Sequence, residues 1–237
     1  MIEKFGFPDP RNAEDHGLLA LGGDFRPDLL LAAYAHGIFP WPSEEMPYAW
    51  FSPNPRMVLV PEALHISRSL RKTLRRGTFH TTFDTAFEAV IRHCAEVHRS
   101  ADGGTWISEE LLQGFLQLHQ LGFAHSVESW QGERLVGGLY GLGLGRMFCG
   151  ESMFHLEPEA SKVAFVALVQ QLRSWHFRLV DCQLHSDHLE QLGAREWHRD
   201  DFLDEVERAL EFPTLRGRWS APEPELLDQT SKKVTAT

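Results

Sequence analysis

Residues 160 to 175, Ala-Ser-Lys-Val-Ala-Phe-Val-Ala-Leu-Val-Gln-Gln-Leu-Arg-Ser-Trp, are apolar on most helical faces. A helix of that kind must be covered by other elements, because no single stripe of it can be left in water. Its neighbours supply the cover. His125 to Trp130, Leu135 to Leu144 and Arg146 to Ser152 read as strands before it, and Arg178 to Gln183 as a strand after it. Gln131-Gly132-Glu133 makes a hairpin turn between the first two strands. The chain is therefore expected to be α+β, with a mixed, mainly antiparallel sheet and helices packed on it. Two acid-bearing segments flank the apolar helix: Gly150-Glu151-Ser152-Met153-Phe154 and Asp181-Cys182-Gln183. Each is expected at the C-terminal end of its strand, where two carboxylates and an amide can converge. The glycine-rich Leu135-Val-Gly-Gly-Leu-Tyr-Gly141 is expected to let a backbone or a ligand approach closely.

Upstream, Pro27 and Gly37 mark the start and end of a helix with Leu29, Leu30, Ala33 and Tyr34 inward, Tyr34 being read first as core. Residues 37 to 56 carry five prolines and several large aromatics, which predicts irregular structure lining a pocket or packed down firmly. Asp84 is a candidate cap for a helix that turns Phe87, Val90, Ile91 and Cys94 inward. A polar loop is expected from His98 to Gly104, and Ser108 caps a further helix that ends at Gly122. Asp187 to Leu192 reads as a short helix, and Asp200 to Leu210 as an acidic amphipathic one. The end of the chain, from about Leu227, is small and polar and is expected to be disordered.

The net charge of −10 by itself argues against a nucleic-acid partner. Its distribution argues the other way. Arg68, Arg71, Lys72, Arg75 and Arg76 fall on one face of a predicted helix with no acid among them, opposite Ile66, Leu70 and Leu74. From Asp181 to Asp228 there are thirteen acids against five arginines. The basic face fits an RNA backbone, where phosphate contacts give affinity without reading sequence. No apolar run is long enough to span a membrane, and Met1-Ile-Glu-Lys4 lacks the features of a signal peptide, so a cytoplasmic protein is expected. The cysteines Cys94, Cys149 and Cys182 read as reduced thiols, and no CxxC pair points to zinc. His185, Asp187 and His188 read as surface residues rather than metal ligands, and His125 as a structural hydrogen-bonder.

These segments resemble the leucyl/phenylalanyl-tRNA–protein transferases of bacteria over roughly Phe7 to Leu210. The resemblance rests on Gly17-Leu-Leu-Ala-Leu-Gly-Gly-Asp24, Gly37-Ile-Phe-Pro-Trp41, Ser52-Pro53…Pro55-Arg56, His65-Ile-Ser-Arg-Ser69, Thr105-Trp106-Ile107 and Ala124-His-Ser-Val-Glu128. It continues through Leu135–Gly141, Gly150–Phe154, Ala160-Ser-Lys162 and Asp181-Cys-Gln183. Phe25-Arg26, Asn54, His155 and Glu159 depart from the usual family residues, which leaves pocket shape and donor preference open. The resemblance implies transfer of Leu or Phe, and Met less well, from aminoacyl-tRNA to the N-terminal Arg or Lys of a protein, which marks the product for N-end rule degradation. It implies a GNAT-like acyltransferase core and a smaller N-terminal α/β domain, with no cofactor, no metal, no DNA and no membrane. The expected division is 1–62 for the small domain, 63–212 for the catalytic domain and 213–237 for a partly disordered tail.

Carried onto this sequence, the family's site places Gln183 as the group that accepts a hydrogen bond from the attacking α-amine. Asp181 polarises Gln183, and Glu151 holds the amine or pairs with the cationic acceptor residue. Trp41, Trp106, Leu139, Phe148 and Met153 match the donor pocket, and Arg68, Arg71, Lys72, Arg75 and Arg76 the tRNA face. The ester is already activated, so holding amine and ester together supplies much of the acceleration. Two rivals remain at this level. An acetyl-CoA enzyme would want a glycine-rich pyrophosphate loop before the apolar helix, where Glu157-Pro158-Glu159 stands instead. An RNA-binding adaptor would need the basic face but neither Glu151 nor Asp181-Cys182-Gln183.

Overall fold

The computed structural model describes residues 6–43, 45–102 and 105–220. A small antiparallel sheet in the order β1-β3-β2 comprises β1 (Leu18–Leu21), β2 (Phe39–Pro40) and β3 (Ala49–Phe51). Helix α1 (Pro27–Tyr34) runs between β1 and β2. A second sheet of seven strands has the order β10-β4-β9-β8-β7-β6-β5. Its members are β4 (Arg56–Leu59), β5 (His80–Phe83), β6 (Ala124–Gln131), β7 (Arg134–Leu144), β8 (Met147–His155), β9 (Leu179–Gln183) and β10 (Arg195–Trp197). All neighbours are antiparallel except β8 and β9, the pair joined through the apolar helix α5 (Ala160–Ser174).

Side chains alternate across this sheet as the pleat requires. Phe148, Val180, Met57 and Leu59 enter one apolar cluster, with residues of α5 and of α2 (Arg68–Arg76). Cys149, Leu179 and Val58 enter the other, with α1, α3 (Phe87–Asp102), α4 (Glu109–Gln120) and α7 (Arg199–Leu210). The sheet is thus covered on both faces, and the mainly antiparallel α+β architecture holds. A short helix, α6 (Asp187–Gln191), follows β9. Among the described residues, no helix is long and apolar enough to cross a membrane.

Several local expectations change. The proline-rich stretch is not irregular throughout, since it contributes β2, β3 and the start of β4. Pro40 is accommodated because β2 lies at a sheet edge, where a missing N–H costs little. Asp84 does not cap α3. It sits at φ +52°, and Glu128 of β6 instead accepts from the Thr85 and Ala86 N–H groups, both at 3.3 Å. Helix α3 runs through to Asp102, across most of the expected polar loop. The space above the glycines of β7 is filled by the protein itself. A Cβ on Gly137 would stand 2.6 Å from that of Ala160, so the glycine admits α5. Ser108 caps α4 as expected, accepting from the Leu111 N–H at 3.2 Å. His125 is indeed a structural hydrogen-bonder, its Nδ1 lying 2.8 Å from Asp84 Oδ2. Residues 213–220 pack against the sheet, and the stretch from Leu227 lies outside the described residues.

Candidate active site

Strands β8 and β9 pair side by side only from Met147↔Leu179 to Cys149↔Asp181. Beyond that point both continue but no longer pair, and a cleft opens between them. Each strand is bulged there. Tyr140 and Gly141 of β7 face Ser152 and Gly150, which leaves Glu151 as the extra residue on β8. Met57 and Val58 of β4 face Gln183 and Asp181, which leaves Cys182 extra on β9. A bulge re-aims the side chains around it and interrupts the ladder. Glu151 therefore lies in the middle of β8, not at its C-terminal end as expected, because pairing to β7 resumes and runs on to His155. Gln183, at φ +63°, does end its strand.

The cleft leads into a cavity of about 520 Å³ lined largely by apolar side chains. All five sequence-predicted donor residues line it: Trp41, Trp106, Leu139, Phe148 and Met153. Phe165 and Leu168 of α5 and Val180 of β9 complete the apolar part. Trp41 stands at the rim, 41% exposed and braced edge-on by Phe51 at 5.5 Å between ring centroids. Ser152, His185, Ser186 and His188 line the cavity's polar side with Glu151 and Gln183, and Gln183 Nε2 donates to Glu151 Oε1 at 2.8 Å. One carboxamide N–H is thus used, and the carboxamide oxygen is left as the acceptor.

Asp181 does not line the cavity. It is 1% exposed, and both of its oxygens are held by Arg56, Nε to Oδ1 and Nη2 to Oδ2, each at 2.7 Å. The guanidinium is itself buried, between the rings of Phe39 (4.7 Å) and Phe202 (4.5 Å), and it donates to the Gly37 carbonyl at 3.1 Å. Asp181 Oδ1 also accepts from the main-chain N–H of Gln183 at 2.9 Å. Its hold on Gln183 is through the backbone, not the carboxamide.

Two residues in this constellation were given no role from sequence. Arg56 is one. The available signal was a lone arginine opening the apolar run Met57-Val-Leu-Val60, which demands a buried counter-charge. Tyr34 is the other. It is buried as expected of core, but its hydroxyl lies beside Glu151. By hydrogen-bond geometry neither that hydroxyl nor Glu151 Oε2 has a partner among the described residues, so the contact is electrostatic rather than a formed bond. Burial pushes the Glu151 carboxyl up to about 8, with the nearby Asp181 charge adding to the rise and Tyr34, Gln183 and Arg56 opposing it. Burial also raises the Cys149 and Cys182 thiols above the ordinary cysteine value.

The cations of the basic helix stand apart from the cavity. Ser67 caps α2 by accepting from the Leu70 N–H, and Gly77 closes it at φ +62°. Arg68, Arg71, Lys72, Arg75 and Arg76 are all exposed, and none forms an ion pair among the described residues. The helix packs on α5, whose Phe165 and Leu168 line the cavity. His185, Asp187 and Glu190 bring potential ligand atoms within 4.8 Å of one another, but all three are exposed and His188 is not among them.

The sequence model of the leucyl/phenylalanyl-tRNA protein transferases matches residues 58–207, and that of their N-terminal domain matches residues 23–54. The leucyl/phenylalanyl-tRNA–protein transferase of Anaeromyxobacter sp. (strain Fw109-5) is 56% identical over 213 residues, 90% of this chain and 91% of that one. The protein of the same name from Myxococcus xanthus (strain DK1622) is 52% identical over 214 residues, 90% and 92% of the two chains. Among solved structures, L-PGS from Bacillus licheniformis aligns over 83% of this chain and 65% of its own, at 9% identity and a TM-score of 0.40.

Proposed function

The chain belongs to the leucyl/phenylalanyl-tRNA–protein transferase family and is an aminoacyltransferase, and on that premise we propose that it moves Leu or Phe, and Met less well, from aminoacyl-tRNA to the N-terminal Arg or Lys of an acceptor protein. The product carries an N-end rule degradation signal, and the reaction belongs in the cytoplasm. One observation carries this reading: an apolar cavity of about 520 Å³ whose only carboxylate–amide pair, Glu151 and Gln183, stands where two strands part.

An apolar pocket selects Leu and Phe by burial, and a methylene more or less changes binding by only about 1–3 kcal/mol, so Met is admitted at lower efficiency. The acceptor's α-amine, with a pKa near ~8, donates to the Gln183 carboxamide oxygen and is held in line with the ester carbonyl. Its nitrogen forms the new C–N bond as the ester C–O bond to the terminal ribose breaks. Glu151 accepts the proton that the amine loses and returns it to the ribose oxygen as that oxygen leaves, so the carboxylate ends the step as it began. Asp181 is then a positioning residue, which fixes the backbone turn at Gln183 while Arg56 neutralises it. No step requires a cofactor or a metal. The GNAT-like reading of the core is supported by the parallel pair β8/β9 parting around the site. We divide the chain before Arg56 rather than at residue 62, because β4 pairs with β9 and β10 of the large sheet.

The direct test is transfer of radiolabelled leucine from Leu-tRNA to a protein beginning with Arg, beside a matched protein beginning with Gly. Label on the Arg-start protein alone is expected. Label on both would remove the acceptor rule, and tRNA binding without transfer would favour a non-catalytic adaptor.

The exposed cations of α2 lead to a second expectation. Arg75→Glu with Arg76→Glu should weaken tRNA binding for every tRNA tested and lower the slope of log K against log salt by about 2, one per lost phosphate contact. Unchanged affinity and slope would move the tRNA face elsewhere.

A further inference from the structure

Behind the cavity wall lies a residue that neither the family match nor the catalytic reading reaches. Trp219 stands beyond residues 58–207 and is 5% exposed. It sits on a strap, residues 213–220, that crosses the sheet and is fastened at several points. The Thr214 hydroxyl accepts from the Gly145 N–H at 2.9 Å, and Arg216 donates to the Leu121 carbonyl at 2.9 Å. The Trp219 N–H donates to the buried Asp84 carboxylate at 2.7 Å, and its indole N–H to the Leu215 carbonyl at 3.1 Å. The indole lies flat on His125, ring centroids 3.7 Å apart, and meets Trp175 and Phe177 edge-on.

On its remaining side the indole meets Phe148, at 5.9 Å between centroids. Phe148 is one of the cavity's apolar walls. The strand beneath these two rings is bare. A Cβ on Gly141 would stand 2.6 Å from Phe148 Cζ, and one on Gly143 would stand 2.9 Å from Trp219 Cζ2. Both rings therefore rest on the backbone of β7, with no side chain rising between them to lock either one sideways. The indole packs against Phe148 without itself lining the cavity, and the strap holds the indole there.

We propose that Trp219 is a specificity-determining residue for the donor: by bracing Phe148 it sets the depth of the cavity, and with it the relative use of Phe and Leu. The inference rests on the donor-pocket reading above. A smaller side chain at 219 lets Phe148 retreat, which deepens the pocket and favours the longer Phe side chain over Leu.

The test is the ratio of kcat/KM for Phe-tRNA to that for Leu-tRNA, measured on the full chain with one Arg-start acceptor. A general loss of stability lowers both numbers together and leaves the ratio alone. Trp219→Leu should raise the ratio about fivefold, and Trp219→Phe, which keeps a ring in the seat, about twofold. In a Phe148→Leu background the same changes should leave the ratio where that background sets it. Should Trp219→Leu prove too unstable to assay, Trp219→Phe decides alone. A ratio equal to the parent's in the folded variants overturns the inference. If the parent protein itself transfers neither Leu nor Phe, the donor-pocket reading fails instead.

Discussion

Asp181→Ala should cost about 3–5 kcal/mol of folding stability and lower transfer by well over tenfold, although the carboxylate never reaches the cavity. The reason is Arg56. Its guanidinium is as buried as Asp181 and lies between two aromatic rings with one carbonyl as its other partner. Removing the carboxylate leaves a charge in a low-dielectric interior with most of its compensation gone, and breaking such a pair costs far more than the pair contributes over an apolar replacement. The loss of rate has a separate origin. Gln183 adopts a left-handed φ that a side-chain-bearing residue disfavours, and the Asp181 bond to its N–H holds it there. Without that bond the carboxamide no longer meets the amine in a fixed pose. A denaturant titration alongside kcat/KM separates the two effects. Asp181→Asn keeps an acceptor for the Gln183 N–H, so it should recover part of the rate while remaining destabilised. A carboxylate acting directly on substrate would lose rate with the unfolding midpoint unmoved. Binding of tRNA by the folded fraction should be nearly unchanged, since the basic face of α2 is a separate surface. Full activity in Asp181→Ala would end the positioning role.

What the sequence made legible was local. The helix over Ala160–Ser174, the strands beside it and α4 could be read because an apolar pattern on most faces, a hairpin turn and the end signals at Ser108 and Gly122 are written in neighbouring residues. The strands β5 and β10 escaped because three- or four-residue strands at a sheet edge carry little pattern. The strands β2 and β3 were hidden by prolines that an edge tolerates, and β4 by its dependence on partners that lie far along the chain. The same distinction runs through the site. The residue types could be picked out by resemblance, and the cavity gathers all five apolar ones with Glu151 and Gln183. The bulges that aim Glu151 and Gln183 into one cleft leave no local signal, because each is defined by register against another strand. Tyr34 and Arg56 meet their acidic partners across more than a hundred residues of chain, so a helical-face pattern could say only that Tyr34 points inward. Asp84 shows the converse. Its position before a helix reads as a cap, but the tertiary structure offered Ser126 and Trp219 N–H groups to its carboxylate and gave the helix end to Glu128.

Glu151→Gln should lower kcat/KM by about a hundredfold or more and change the shape of its pH profile. In the parent protein the productive state needs a neutral amine and an ionised Glu151. The carboxyl titrates near 8, and a free α-amine near ~8. Below both values two protons must be lost, so log kcat/KM should climb with a slope approaching 2 as pH rises toward 8. In Glu151→Gln only the amine titrates and the slope should fall to about 1. Because kcat/KM reports the free enzyme and the free acceptor, the two values belong to Glu151 and to the unbound amine. Stability supplies an independent reading. The carboxyl's ordinary value of 4.5 applies to the unfolded chain and about 8 to the folded one. Between them the folded state holds a proton that the unfolded state has released. Unfolding free energy from this group is therefore greatest below 4.5 and declines as pH rises through 8, the reverse of a salt-bridged carboxylate. The variant, with an uncharged amide in the same space, should lack that decline. Subtracting its stability curve from the parent's isolates the effect from every other titrating group. Parallel stability curves, or a slope that stays near 2 in the variant, would show that Glu151 neither holds the proton in this window nor takes it from the amine.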